Sequence, residues 1–263
     1  MSFSVRDKTI LITGASSGIG EHVAYDLSTK GTKLVLCARR VDRLLAVQER
    51  CIELGATQVD VIRVDLGSPD SMDNLVNQLA IKAIDVDVLI NNAGFGHSEP
   101  FISTDFQLVM KLFQVNVLGL MYLTQQLALN MLDQGGGQII NVASLAGKVS
   151  TPNYATYGAT KGAVISFSNA LRMELKPHNI QVTTVNFGPV NTPFFENIEK
   201  NRREASAEGP LALSVSKAAK VVSNTIGKNK REVNRPLLLA VAAKMYVFVP
   251  AVGDYILMNF FRD

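Results

Sequence analysis

Tyr157 and Lys161 stand four residues apart in Ala155-Thr-Tyr-Gly-Ala-Thr-Lys161, and Ser144 lies thirteen residues before the tyrosine in Asn141-Val-Ala-Ser-Leu-Ala-Gly147. On a helix over 155–176, a spacing of four puts the phenol and the ammonium on one face. A cation beside a phenol favours phenolate and draws the pKa down from its usual value of about 10. Such a tyrosine exchanges a proton with a substrate oxygen that a serine hydroxyl steadies, the polar half of a carbonyl–alcohol interconversion. The pair alone also fits an ordinary solvated helix face. Its flanks point elsewhere: Ala155, Gly158, Ala159, Gly162 and Ala163 leave room for close approach by a cofactor or a second helix.

These groups need a partner that carries the reducing equivalents, and the start of the chain supplies a place for one. Residues 8–13 read as a short buried strand. They run through Gly14-Ala-Ser16-Ser17-Gly18-Ile19-Gly20 into a helix whose apolar positions are Val23, Ala24 and Leu27. Strand, glycine turn and helix start make a phosphate cradle: free N–H groups and the positive helix end favour an anion, and glycines let a pyrophosphate approach. The spacing of Gly14, Gly18 and Gly20 differs by one residue from G-x-G-x-x-G.

Thr13-Gly-Ala-Ser-Ser-Gly-Ile-Gly20, Asn91-Asn92-Ala93-Gly94, Asn116, Ser144 and Tyr157-x-x-x-Lys161 occur together in register. From about residue 5 to 195 the chain thereby resembles the short-chain dehydrogenase/reductase family. The resemblance implies a Rossmann-like α/β fold, a doubly wound parallel sheet in a single domain over 1–263. It implies hydride transfer at a carbonyl, with Tyr157 as the proton donor and Ser144 holding the same oxygen. Lys161 would both lower the tyrosine pKa and grip the nicotinamide ribose. Asn116 would hold a water that relays protons toward Lys161, and Asn92, Ala93 and Gly94 would border the cofactor.

The second predicted strand ends in Arg39-Arg40. An acidic residue about twenty positions after the glycine turn would suit NAD, whereas arginine suits a 2′-phosphate. The expectation is therefore NADP(H), with Arg39 the first partner and Arg40 the second, while NAD(H) remains the alternative. Many relatives that prefer NADP carry a basic residue just before the middle glycine, where this chain has Ser17. By resemblance Asp65 and Leu66 meet the adenine, and Pro189, Val190 and Thr192 hold the carboxamide. Asn186-Phe-Gly-Pro-Val-Asn-Thr192 has Phe187 where relatives carry proline, so an aromatic ring is expected near the nicotinamide or in the core.

The chain has 263 residues, 47% hydrophobic, and no linker or repeat divides it. Apolar runs at 9–12, 34–37, 59–64, 86–90, 138–142 and 181–185 alternate with helical patterns, as βαβ units do. A net charge of +3 is too small and dispersed for nucleic acid; Arg202-Arg203 and 228–231 read as solvated surface. Cys37 and Cys51 read as reduced thiols, and the first strand begins too early for a cleaved leader. A cytoplasmic setting follows as an expectation. His22, His97 and His178 share no metal-ligand spacing, so no metal is expected; His97 falls where it would edge a substrate pocket.

Residues 193–213, with Phe194 and Phe195, are expected to form a loop and helix over the substrate. Phe95, Phe187, Phe194 and Phe195 map to the pocket rim and point to a lipophilic small-molecule carbonyl or alcohol. Residues 236–263 form an apolar C-terminal extension. Lys244, Pro250 and Asp254 interrupt it, so no run reaches the roughly 20 apolar residues of a membrane span. Two readings stay open, a lid or subunit contact and a peripheral membrane element. By resemblance, helices at about 105–132 and 155–176 pair in a homodimer. A catalytically silent nucleotide-binding protein would explain the glycine turn, but not Asn116, Ser144, Tyr157 and Lys161 together.

Overall fold

The computed structural model describes residues 4–149, 151–192, 194 and 211–260. Seven parallel strands form one sheet in the order β3-β2-β1-β4-β5-β6-β7. They are β1 Thr9–Thr13, β2 Lys33–Ala38, β3 Gln58–Arg63, β4 Val88–Asn91, β5 Gly137–Ser144, β6 Ile180–Phe187 and β7 Glu232–Arg235. The order reverses between β1 and β4, and a ligand crevice opens at such a switch point, beyond the carboxyl ends of the strands.

Successive residues of a strand face opposite sides, and the core divides accordingly. Ile10 and Ile12 pack toward α1 (Gly18–Ser28), α2 (Val41–Glu53) and α7 (Val215–Ser223). Leu11 and Leu89 pack toward α3 (Pro69–Ile81), α5 (Leu120–Asp133) and α6 (Ala155–Leu175). Each fully buried leucine or isoleucine contributes on the order of 2 kcal/mol, so strands buried on both faces supply a stiff floor for the crevice.

The six expected strands are present, with ends shifted by a few residues. β7 is an addition: Glu-Val-Asn-Arg has no apolar run, and all four residues are half-buried at the sheet edge. The expected helix over 105–132 is broken. It runs as α4 (Phe106–Phe113), a π-helical stretch Gln114–Gly119, and α5. A π turn widens the helix by one residue per turn, and this one sets Asn116 in the wall of the crevice. A Cβ at Gly119 would collide with the Leu66 carbonyl, so glycine lets this stretch press on the segment that follows the third strand.

The C-terminal extension forms two helices, α8 (Leu237–Phe248) and α9 (Pro250–Phe260). Ala240 and Ala243 are buried against the fold, whereas Leu237, Leu238, Val241, Met245, Val247, Phe248, Val252, Tyr255, Ile256 and Met258 are exposed.

Candidate active site

The glycine turn is built by tight backbone packing. Gly14 has φ +68°, and a Cβ there would stand 2.9 Å from Ala93 Cα. A Cβ at Gly20 would strike the Gly14 carbonyl. Thr13 ties the turn to the fourth strand: its hydroxyl accepts from the Asn92 and Ala93 amides, both at 3.0 Å. Asn92 Nδ2 donates to the Thr13 carbonyl at 3.0 Å. Ser17 precedes α1 without making a side-chain cap, so the first amides of the helix are left for another acceptor. Turn, bare helix start and small residues fit a dinucleotide pyrophosphate.

Arg40 reaches back over this cradle, donating to Ser17 Oγ at 2.8 Å and to Ser16 Oγ at 3.2 Å. Arg39 is exposed and makes no such contact among the described residues. Both arginines are exposed beside the turn, and Arg40 is the one that touches it. Thr192 sits across the turn, its Cγ2 3.6 Å from where a Cβ on Gly18 would be. Val190 bridges to Leu213, and the Pro189 carbonyl accepts from the Leu213 amide at 2.9 Å. Asp65 accepts from the Gly67 amide at 2.9 Å, and Leu66 is buried. Ile19 packs at the edge of the core.

The proton-handling side chains meet at the carboxyl end of β5. Ser144 ends that strand, accepts from the Ala146 amide at 3.1 Å, donates to the Phe187 carbonyl at 3.2 Å and hydrogen-bonds Tyr157. Tyr157 and Lys161 lie in the first turns of α6 as the spacing predicts, both buried. Lys161 Nζ donates to the Val142 carbonyl at 3.2 Å and sits 5.8 Å from the centroid of the Tyr157 ring. A Cβ at Gly94 would stand 2.9 Å from Asn116 Oδ1 and 3.8 Å from Lys161 Nζ, which places all three side by side. Asn116 clamps the next residue: its Oδ1 accepts from the Phe95 amide at 3.0 Å, and its Nδ2 donates to the Phe95 carbonyl at 2.9 Å. These two bonds hold Asn116 in place beside Gly94 and Lys161.

The electrostatics of the cofactor-free site are set by burial. Burial pushes the Tyr157 phenol up, and the Ser144 hydrogen bond offsets only part of that. Burial also lowers Lys161 to about 8. Desolvation disfavours both charged forms, phenolate and ammonium, and so works against the lowering expected from Lys161.

Behind the site runs a buried polar chain that the sequence reading did not identify. Asn91 Nδ2 donates to Thr124 Oγ1 at 2.8 Å and to Asn141 Oδ1 at 2.9 Å, and Asn141 Nδ2 donates to Ser168 Oγ at 2.8 Å. It links β4, β5, α5 and α6, and so fixes the helix carrying Tyr157 relative to the sheet. Asn141, a polar residue between Ile139-Ile140 and Val142-Ala143, was the available signal.

The expected pocket phenylalanines separate. Phe194 stands edge-on to Tyr157, ring centroids 5.9 Å apart, with Lys161 Nζ 5.9 Å from its own centroid. Phe95 is half-buried beside Asn116. Phe187 is a core residue, 3% exposed, packed with Ile140 and Val185 on the side of the sheet that α1 covers; only its carbonyl serves the site. Phe195 and most of 193–213 lie outside the described residues. Cys37 and Cys51 are buried free thiols, and no His, Cys, Asp and Glu cluster suited to a metal occurs among the described residues.

Residues 8–203 match the short chain dehydrogenase family. The chain is 34% identical over 255 residues to "11-beta-hydroxysteroid dehydrogenase-like 3" of Arabidopsis thaliana, covering 96% of this chain and 81% of that protein. Its fold is similar to a short-chain dehydrogenase from Sphingobium yanoikuyae solved in complex with NADPH, with a TM-score of 0.80, 29% identity and 95% of each chain covered. It is also similar to L-sorbose reductase from Gluconobacter frateurii, solved with NADPH and L-sorbose: TM-score 0.77, 26% identity, 89% of this chain and 97% of the other. With the Ser144, Tyr157 and Lys161 cluster at the carboxyl end of a seven-stranded parallel sheet, these matches identify the chain as a member of the short-chain dehydrogenase family of oxidoreductases.

Proposed function

We propose that this protein is an NADP(H)-dependent reductase of lipophilic small-molecule carbonyl compounds, with Tyr157 as its general acid. The observation that carries the reading is the buried Ser144–Tyr157 hydrogen bond with Lys161 alongside, at the carboxyl end of β5. A neutral phenol can give a proton, as reduction of a carbonyl requires, whereas alcohol oxidation needs the phenolate.

Gly14, Ser16, Ser17, Gly18, Ile19 and Gly20 would hold the pyrophosphate, Arg40 the 2′-phosphate, and Asp65 and Leu66 the adenine. Tyr157 and Lys161 would hold the nicotinamide ribose, and Pro189, Val190 and Thr192 the carboxamide. Bound there, NADPH supplies the hydride that adds to the carbonyl carbon. Tyr157 gives its proton to the carbonyl oxygen as it becomes a hydroxyl. Ser144 donates to the same oxygen once it exchanges the Phe187 carbonyl for the substrate. NADPH complexes among its structural relatives support the cofactor, and Phe194 on the Tyr157 ring supports an apolar substrate.

Parallel titration with NADPH and NADH, followed by nicotinamide fluorescence, tests the reading. Tight NADPH binding that weakens in Arg40→Ala supports it; NADH preference makes the protein an NAD-dependent dehydrogenase instead; binding of neither removes the oxidoreductase assignment.

Two surfaces extend the proposal. Phe106, Met110, Leu118, Leu129 and Met173 are exposed on the helices expected to pair, which supports a homodimer. The exposed apolar face of α8 and α9 supports peripheral membrane contact by a cytoplasmic protein. At 12 residues, α8 is about 18 Å long, well short of a bilayer core of about 30 Å.

A further inference from the structure

The loop after β4 carries a buried histidine that the proposed chemistry does not use. His97 is 9% exposed, and its Nε2 lies 3.0 Å from Glu99 Oε2. Its Nδ1 is buried and has no hydrogen-bond partner among the described residues. Leaving a buried ring nitrogen without a partner is costly, so natural sites seldom keep one without use.

The loop is fastened to both sides of Tyr157. The Gly96 amide donates to the Phe194 carbonyl at 3.3 Å, and Phe194 is the ring standing on Tyr157. The Glu99 amide donates to the Asn153 carbonyl at 2.9 Å, next to Tyr154, whose ring centroid is 6.5 Å from that of Tyr157. His97 lies in the chain between these two tied residues. At the other end of the loop, Asn116 clamps the Phe95 backbone.

A carboxylate only accepts hydrogen bonds, so the Glu99 contact puts the ring proton on Nε2. In the neutral ring Nδ1 is then a lone-pair acceptor. We propose that His97 Nδ1 is a second substrate anchor, accepting a hydrogen bond from a hydroxyl group remote from the reacting carbonyl, so that the enzyme prefers hydroxylated ketones to plain ones. This specificity role rests on the reductase reading above, with Glu99 as the positioning residue that sets the tautomer.

The test uses the full-length enzyme with NADPH and bicyclic decalones, each offered with and without one ring hydroxyl. Wild type should favour one hydroxylated isomer over its plain counterpart by about ten-fold in kcat/KM, the scale of one buried hydrogen bond. In His97→Phe, which keeps ring shape without nitrogen, that ratio should collapse toward one; His97→Asn, which returns an acceptor near the Nδ1 position, should recover part of it. An independent readout is the Nδ1 resonance of ¹⁵N-histidine-labelled wild type, which should move with the hydroxylated ligand and stay with the plain one. A ratio unchanged in His97→Phe, a preference for a carboxylate-bearing ketone, or a still Nδ1 resonance overturns the proposal. Absence of turnover across the whole panel would instead strike the reductase reading, while the resonance still decides whether His97 contacts a hydroxyl.

Discussion

The corner around Tyr157 and the C-terminal hairpin handle polarity in opposite ways. In the corner, ionisable and hydroxyl groups are taken out of water and held by short contacts: Ser144 by a backbone amide and a carbonyl, Lys161 by the Val142 carbonyl, Asn116 by both polar atoms of Phe95. In α8 and α9, apolar side chains are left in water, with Val247, Phe248 and Tyr255 each more than 70% exposed. The first arrangement costs desolvation and keeps its geometry because the polar chain behind α6 fixes the helix. The second costs hydration of apolar surface, a cost that the proposed membrane contact would relieve.

The sharpest way to break the contrast is to remove the acid while leaving the packing. Tyr157→Phe keeps the ring against Phe194 and deletes the hydroxyl, and kcat should fall by roughly 10²–10⁴-fold. Because the ring stays, NADPH titrated by fluorescence should bind within a few-fold of wild type. Retained turnover in this variant would show that another group supplies the proton.

The cradle should respond less, and selectively. Arg40→Ala removes the guanidinium from Ser16 and Ser17, and NADPH affinity should drop about ten-fold or more while NADH affinity stays nearly constant. Arg39→Ala should do little. Equal loss for both cofactors would mean that Arg40 supports the turn rather than a phosphate.

The unequal legibility of the two regions has a physical cause. Tyr157, Lys161 and the glycine turn were readable because their geometry is local: four residues of helix, or seven residues of turn, already place the groups. The strands were readable from their apolar runs. β7 was not, since Glu232 to Arg235 owes its pairing to the edge of β6 rather than to its own composition. The π turn at Asn116 was hidden because it depends on Gly119 meeting Leu66 across the fold. The contact of Arg40 with Ser16 and Ser17 was hidden because it joins the start of α2 to the glycine turn across the fold. The sign of the Tyr157 shift required burial, which no spacing of two residues encodes.

Charge in the corner also gives a pH test with two readouts of opposite sign. Lys161 is lowered by burial to about 8, from 10.5 in the unfolded chain. As pH rises through about 8, the folded protein loses the ammonium, and kcat/KM for reduction should decline over this range. For stability, the unfolded state binds more protons between about 8 and 10.5, so the Lys161 contribution rises with pH there. Tyr157 acts oppositely above pH 10, where the unfolded phenol ionises and the buried one does not. The window from pH 8 to 10 is therefore where activity and the Lys161 part of stability should diverge. Lys161→Met should lose both slopes in initial-rate and urea-unfolding measurements, and a slope that persists belongs to another group.

The smallest effect on chemistry should come from the hairpin. Leu238→Ser with Phe248→Ser changes two side chains that are 65% and 78% exposed, so folding and turnover of a small water-soluble carbonyl should stay within about two-fold of wild type. Flotation with phosphatidylserine-containing liposomes should nevertheless fall, because each substitution removes apolar area that lipid would cover. Leu239 belongs to the other region, since its Cδ1 would stand 2.8 Å from a Cβ on Gly188 and so reaches the backbone beside Ser144's acceptor, Phe187. Leu239→Ala should therefore alter kcat/KM for bulky ketones more than it alters flotation. If the double serine variant instead floats as wild type and changes turnover, the hairpin is a lid, and its exposed face closes over substrate rather than meeting a membrane.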